Sequence, residues 1–477
     1  MQASRVDDGR EPPGRCPVAR RAERAAVVVG SSRGSVARMF GAYTHRPMDA
    51  ATQRTAVLDD LEWRRMIADH TDPDALRAAM AAGPITYYGG FDPTAPSLHF
   101  GNLVLLVTMR RLQLAGHRPI GLVGGATGLV GDPSGRASER TLNDPEVIAG
   151  WVERIRSQVE RYLDFDGPSG AVIVNNLDWT ARMSAIDWLR DVGKHFSVSR
   201  MLAKESVSAR LEAGGISYTE FSYQVMQAVD YLELYRRHGC TLQLGGSDQW
   251  GNLTAGVDLI RRVEGATVHA LATPLITRPD GQKFGKSEGS TLWLDPALTS
   301  PFAFYQWFLN VDDSVVGTYL RVFSFRTHDE IEKLEGAVTA RAEAREAQRA
   351  LAEELTALVH GPEAAAGAAE ASRALFGQGD LASLDPATLE AAFADLPRAS
   401  VASGNGMPTV LDLLVASGLS ESRGQARRTL TEGGAYVNNA RVTDPAAVPD
   451  SADLLAGRWL LLRRGKRNLA VAEVSEA

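Results

Sequence analysis

Apolar runs of β type recur at Ile85 to Tyr88, Pro119 to Val123, Ala171 to Val174, Thr241 to Leu244 and Ala272 to Ile276, and helical stretches separate most of them. No other feature constrains the fold as much. Strands buried on both faces read as near-continuous hydrophobic runs, and parallel neighbours need a long crossover, which a helix supplies. The alternation predicts an α/β chain built on a Rossmann-like, doubly wound parallel sheet. Ligands of such sheets sit beyond the carboxyl ends of the strands, so the residues that follow each run carry the functional weight.

At 477 residues the chain exceeds one hydrophobic core, and two or three domains are expected. The pattern divides it into a disordered extension over 1–57, a sheet domain over 58–300, an α-helical domain over 301–396, a linker over 397–407 and a small α+β domain over 408–477. Residues 1–47 are rich in Arg, Gly and Ser and show little periodicity. Asp7, Asp8, Glu11 and Glu23 weaken a transit-peptide reading, and a start at Met48 accounts for the stretch equally well. The ordered chain is expected from about Leu58, where Leu61, Met66 and Ile67 open a helical pattern.

No apolar run approaches the length of a membrane span. Two cysteines, Cys16 and Cys240, offer neither a disulfide framework nor a zinc cluster, so no protein-held metal is expected and a reducing cytoplasm is the simplest setting. A net charge of -7 argues against wholesale coating of nucleic acid. Any RNA contact must be regional.

Three polar segments follow strands. After the first comes Tyr88-Gly89-Gly90-Phe91-Asp92-Pro93-Thr94, continuing to His99-Phe100-Gly101-Asn102, where a helix from about Leu98 aims its amides and His99 into the crevice. The second is Gly124 to Gly135, which carries Asp132. The third is Gly245 to Asn252, which carries Asp248 and Gln249. One glycine-rich turn is weak evidence, but two at successive strand ends are harder to dismiss.

Only six of the 51 basic side chains are lysines, and two of the six stand in Lys283-Phe284-Gly285-Lys286-Ser287. A lysine is a compact, mobile point charge that can follow a phosphate during reaction, whereas arginine presents a fixed fork. Two lysines around a glycine, after the turn Pro279-Asp280-Gly281, suggest a loop that closes over a polyphosphate. Separately, Tyr218 to Arg236 reads as a helix. Tyr223, Gln227 and Asp230 recur on one face of it, opposite Phe221, Val225, Val229 and Leu232. Such a stripe lines a pocket or meets water.

Together these residues resemble the bacterial-type tyrosyl-tRNA synthetases of class I. His99 to Asn102 resembles the first class signature, HIGH, and Lys283 to Ser287 the second, KMSKS. Tyr88 with Gly90 to Thr94, the stretch from Gly124 to Thr141, and Gly245 to Asn252 point to the tyrosyl branch. The resemblance runs from about residue 58 to the C-terminus. It implies ATP with magnesium as substrate, L-tyrosine and tRNA(Tyr) as partners, a homodimer, and no membrane. By resemblance, Tyr88 and Asp230 bind the substrate phenol, Asp132, Tyr223 and Gln227 its ammonium, and Gln249 lies near its carboxylate. Gly90, Asp92, Gly101, Asn102, Asp248 and Lys286 contact ATP, while Thr94, His99, Lys283, Lys286, Ser287, Arg136 and Arg140 act on the phosphates.

Some positions depart from the family pattern. Asn102 replaces the second histidine of the first signature, Arg136 stands where a lysine is usual, and Gly89 lacks a side chain that reaches the ribose in some relatives. Resemblance makes the helical region the anticodon-recognition domain. The segments around Leu411, Ser422 to Arg428 and Ala435 to Asn438 resemble a small RNA-binding fold, which implies RNA contact by Arg423, Arg427, Arg428, Arg463 and Arg464. The competing readings are a tryptophanyl enzyme, disfavoured because Tyr88 and Asp230 suit a phenol, and a catalytically inactive RNA-binding paralogue.

Overall fold

The structure, a computed structural model, describes residues 49–132, 143–204, 207–208, 211, 215–277, 291–394, 396–402, 406–465 and 468–475. The extension over 1–47, Arg136, Arg140, Lys283, Lys286 and Ser287 lie outside them.

The chain is ordered earlier than its apolar pattern suggests. Helix α1 spans Ala50–Trp63 and is capped by Asp49, whose carboxylate accepts from the amides of Ala51 and Thr52. Its first turns carry Ala, Thr, Gln and Arg, so they form a helix without an apolar stripe to announce it. Of this helix only Val57, Leu58 and Leu61 are buried, and Met66 and Ile67 fall beyond its end.

Among the described residues six strands form the central sheet, β1 (Asp69–His70), β2 (Thr86–Phe91), β3 (Arg118–Val123), β4 (Val172–Asn175), β5 (Cys240–Gly246) and β6 (His269–Thr273). Their order is β1-β6-β5-β2-β3-β4. All neighbours run parallel except β1, a two-residue edge piece too short for a periodicity signal. Strand β6 lies earlier than the run Ala272 to Ile276 because Pro274 has no N–H for a ladder. Strand order reverses between β2 and β5, which are hydrogen-bonded neighbours. That junction is the topological switch point at which such sheets bind ligands.

Helix α2 (Pro73–Ala82) leads into β2, and α3 (Phe100–Leu114) connects β2 to β3. Phe100 begins α3 and meets Phe323 at 4.4 Å, Phe308 at 5.0 Å and Tyr319 at 5.7 Å between ring centroids. The last three belong to the helical region, so it shares a core with the sheet. That region comprises α7 (Pro301–Leu309), α8 (Asp313–Phe323), α9 (His328–Ala340), α10 (Glu346–His360), α11 (Pro362–Leu375) and α12 (Pro386–Phe393), with α4 (Pro145–Val159), α5 (Tyr218–His238) and α6 (Trp250–Glu264) preceding it. The helical run expected over Ala340 to Val359 is interrupted at Arg345, with φ at +48°. Its guanidinium donates to the carbonyls of Leu309 at 3.0 Å and Val311 at 2.9 Å, which holds the break in place.

Residues 398–402, expected in a linker, form strand β7 (Arg398–Ala402), parallel to β11 (Asn468–Ser475). Ala399 is buried and Ser400 exposed, a short alternation that the surrounding Ser and Gly obscure. The sheet order is β7-β11-β10-β8-β9, with β8 at Ala435–Val437, β9 at Ala440–Val442 and β10 at Trp459–Arg464. Helices α13 (Val410–Ala416) and α14 (Arg423–Thr431) cover one face through Leu413, Leu414 and Leu430. Trp459, Leu461 and Val471 pack with Phe302, Leu375 and Phe393 of the helical region. Each such side chain contributes about 1.5–3 kcal/mol on burial.

Candidate active site

Beyond the carboxyl ends of β2 and β5 lies a cleft of about 310 Å³. Its wall includes Tyr88, Gly90, Asp92, Thr94, His99, Gly101, Asn102, Asp132, Tyr223, Gln227, Asp230, Asp248 and Gln249. Thus every site residue expected in the sheet domain that lies within the described residues reaches one cavity. The stripe on α5 faces that cavity and not water, with Tyr223 5% and Asp230 3% exposed.

At the inner end, Asp230 is held by two donors that sequence reasoning missed. Trp179 Nε1 donates to its Oδ1 at 2.8 Å and Asn176 Nδ2 to its Oδ2 at 2.9 Å. Burial still raises the carboxyl to about 7, against the pull of those donors. Tyr88 comes from β2, and burial, with the Asp230 carboxylate adding to it, raises its phenol well above the usual range. Its hydroxyl is buried and has no hydrogen-bond partner among the described residues. A ligand hydroxyl placed here can donate to Asp230 and accept from Tyr88.

The middle of the cleft offers acceptors. Tyr223 donates its phenolic proton to Asp92 Oδ2 at 2.6 Å, which leaves its oxygen lone pairs free to accept. The Gln227 Oε1 atom is buried without a partner among the described residues. Asp132 Oδ2 accepts from Gln249 Nε2 at 2.6 Å. A carboxylate, an amide oxygen and a phenolic oxygen match the three donors of an ammonium group. Gln249 Oε1 accepts from Asn252 Nδ2 at 2.9 Å, so the amide is oriented and its second N–H is available to a ligand oxygen.

At the outer end, His99 is the N-cap of α3. Its Nδ1 accepts from the Gly101 amide at 3.1 Å, and the Asn102 side-chain oxygen accepts from the His99 amide at 3.0 Å, forming a capping box. Burial lowers the imidazole to about 4, so it is neutral, and with Nδ1 accepting, the proton sits on Nε2. The structure also explains what replaces a histidine at position 102. The Asn102 oxygen serves the cap, and the residue lines the cleft, where a side-chain amide can offer N–H donors. The lining contains no lysine or arginine among the described residues.

The expected RNA contacts lie elsewhere, in the C-terminal sheet domain. Arg427 and Arg428 are exposed on α14. Arg423 pairs with Asp412, Arg464 donates to the Leu419 carbonyl at 2.6 Å, and Arg463 stacks over Tyr436 at 3.9 Å.

Residues 80–377 match the family model for class I tRNA synthetases (W and Y), and residues 388–472 match that for the tyrosine–tRNA ligase SYY-like C-terminal domain. The tyrosine–tRNA ligase of Streptomyces griseus is 62% identical, over 88% of this chain and 99% of its own length. That of Mycobacterium tuberculosis is 58% identical, over 87% and 98%. Among solved structures, a C-terminally truncated mitochondrial tyrosyl-tRNA synthetase of Aspergillus nidulans superposes with a TM-score of 0.62 at 29% identity, over 69% of this chain and 98% of that one. The chain belongs to the bacterial-type tyrosyl-tRNA synthetases, within the class I tRNA synthetase family.

Proposed function

We infer that this chain is a tyrosine–tRNA ligase, which activates L-tyrosine with ATP to tyrosyl-adenylate and pyrophosphate and then transfers tyrosyl to the 3′ end of tRNA(Tyr). The observation that carries the reading is the unpartnered Tyr88 hydroxyl beside Asp230. Phenylalanine there leaves a buried donor unsatisfied, and this family is itself the reference case for such discrimination, put at ~10⁵.

Tyr88 and Asp230 bind the phenol, while Asp132, Tyr223 and Gln227 bind the ammonium. The tyrosine carboxylate is already a nucleophile at neutral pH, so no general base is needed. It attacks the α-phosphate in line, and catalysis rests on positioning and on charge stabilisation that grows toward the transition state. His99 Nε2–H, the Asn102 amide and Thr94 supply neutral donors at the phosphate end. Gly90, Asp92, Gly101 and Asp248 border the nucleotide. Lys283, Lys286, Ser287, Arg136 and Arg140 supply the cations and hydroxyl that meet the triphosphate, on which magnesium arrives as part of the substrate.

The helical region reads the anticodon, and the C-terminal domain adds RNA contact through Arg427 and Arg428. Ile186, Leu189, Val198, Leu202 and Tyr218 are large, exposed and close in sequence, and we assign them to contact with a second copy of the chain. Among the described residues no helix is long and apolar enough to cross a membrane, and cytoplasmic residence is our reading. Amino-acid-dependent ATP–pyrophosphate exchange with tyrosine, phenylalanine and tryptophan tests the assignment. Exchange with tyrosine alone is expected. Exchange with tryptophan, or with none of the three from a folded chain, would overturn it.

A further inference from the structure

A continuous hydrogen-bond chain links Asp230, at the inner end of the cleft, to Asp92 and Tyr223 in its middle. Asn176 is fully buried, and its Oδ1 accepts from the Ala126 amide at 2.7 Å, so the side-chain amide cannot flip. Its Nδ2 therefore points the other way and divides its two protons, one to Asp230 Oδ2 at 2.9 Å and one to Thr127 Oγ1 at 3.0 Å. Thr127 has a single hydroxyl proton. Because it accepts from Asn176, it sends that proton on to Asp92 Oδ1, at 2.6 Å. The other Asp92 oxygen takes the proton of Tyr223 at 2.6 Å.

Every donor direction in this path is thus determined, from Asp230 through Asn176 and Thr127 to Asp92 and Tyr223. Thr127 is 2% exposed, so water does not compete for its hydroxyl. Networks in low dielectric strengthen one another, and a change at one member is felt at the next.

We propose that Thr127 and Asn176 are positioning residues that couple phenol recognition at Asp230 to the orientation of Asp92, so that Asp92, which borders the nucleotide, is held more firmly when a phenol hydroxyl is in place. A phenol donating to Asp230 weakens the carboxylate's demand on Asn176, which then donates more strongly to Thr127, and Thr127 in turn to Asp92. The effect adds a selectivity step after binding. An amino acid lacking the hydroxyl is bound less well and is also presented to an ATP site whose Asp92 is held less firmly. This rests on the tyrosine reading of the pocket.

A double-mutant cycle tests it, using Tyr88→Phe, which weakens phenol contact, and Thr127→Val, which removes the bridging hydroxyl at similar volume. The quantity read is kcat/KM for ATP in pyrophosphate exchange at saturating tyrosine, with thermal melts to verify folding. In the parent background Tyr88→Phe is expected to lower it about tenfold. In the Thr127→Val background the same change is expected to cost no more than about twofold, the scatter of independent sites. Thr127→Ser, which keeps the hydroxyl, restores the tenfold loss. Losses that multiply, or no loss from Tyr88→Phe in the parent, would overturn the coupling while normal parent exchange with tyrosine leaves the pocket reading standing. Absence of that exchange overturns both. If Thr127→Val does not melt cooperatively, Thr127→Ala takes its place and the same outcomes decide.

Discussion

Trp179 reaches from a single helical turn after β4 to place its Nε1 2.8 Å from Asp230 Oδ1. Even with this donor and Asn176, burial keeps the Asp230 carboxyl near 7. The folded chain therefore holds this proton more tightly than the unfolded chain does. Its contribution to stability is complete below the ordinary carboxylate value of about 4 and is lost as pH rises through about 7. Without tyrosine, the melting temperature of the parent is expected to fall by a few degrees relative to Asp230→Asn between pH 5.5 and 8.5. Melting curves that stay parallel across that range would refute the shifted carboxyl.

Gly124 follows β3 where Asp92 and Thr127 close together. A Cβ there would meet Asp92 Oδ1 and Thr127 Oγ1, which are hydrogen-bonded to each other. Gly124→Ala is expected to part them and to lower kcat/KM for ATP by about 10², the scale of losing one transition-state contact. A Cβ added at Gly83 would meet nothing within 4 Å among the described residues, so Gly83→Ala serves as the tolerated control. Equal exchange rates for both variants would show that the contact relaxes freely.

How legible these features were in the sequence depends on their geometry. Tyr88, Asp92 and Asp248 could be found because strand ends are marked by glycine and by the stop of an apolar run. Tyr223, Gln227 and Asp230 could be found because a long helix repeats its face every three or four residues. Asn176 and Trp179 sit on a loop and one short turn, where no period exists to mark them. Their role arises only when the sheet brings that turn against α5. Strand β7 was hidden for a related reason, since its pairing partner β11 lies some seventy residues away in sequence. Asn102 shows the opposite case. Its difference from histidine was plain in the sequence, but the use of its amide oxygen in the helix cap needed the His99 backbone.

The basic residues of the C-terminal domain are not equivalent. Arg427 and Arg428 are exposed on α14, whereas Arg464 is engaged with the Leu419 carbonyl. Charge reversal to Glu at Arg427 and Arg428 is expected to raise KM for tRNA about tenfold or more at 0.15 M salt and to flatten its salt dependence, because each lost phosphate contact removes about one counterion from the slope. Tyrosine-dependent pyrophosphate exchange should be unchanged. Arg464→Ala should instead lower the stability of the domain. An unaltered KM for tRNA in the double variant would remove α14 from the RNA interface.

Asp60 joins α1 to both α3 and the helical region. Its Oδ1 receives Arg64 Nε at 2.8 Å and His328 Nε2 at 2.8 Å, and its Oδ2 receives Arg111 at 3.3 Å. Burial alone would raise this carboxyl, but Arg111 and Arg64 hold it below the ordinary range. Its contribution to stability is present above the ordinary carboxylate value of about 4 and is lost as pH falls through its lowered folded value. Arg64 is fully buried and Arg111 is 3% exposed, so Asp60→Ala leaves two guanidinium groups without their carboxylate inside the protein. Breaking a buried pair in this way costs about 3–5 kcal/mol. Arg64 retains carbonyl partners at Arg321, Ser324 and Arg326, which places the expected loss at the lower end of that range. Urea unfolding at pH 7.5 measures it. His328→Ala, whose ring is partly exposed, should cost less than about 1 kcal/mol. If Asp60→Ala costs no more than His328→Ala, the carboxylate is not what joins the helical region to the sheet, and the Arg64 and Arg111 bonds to carbonyls of that region, with the shared aromatic core around Phe100, must do so.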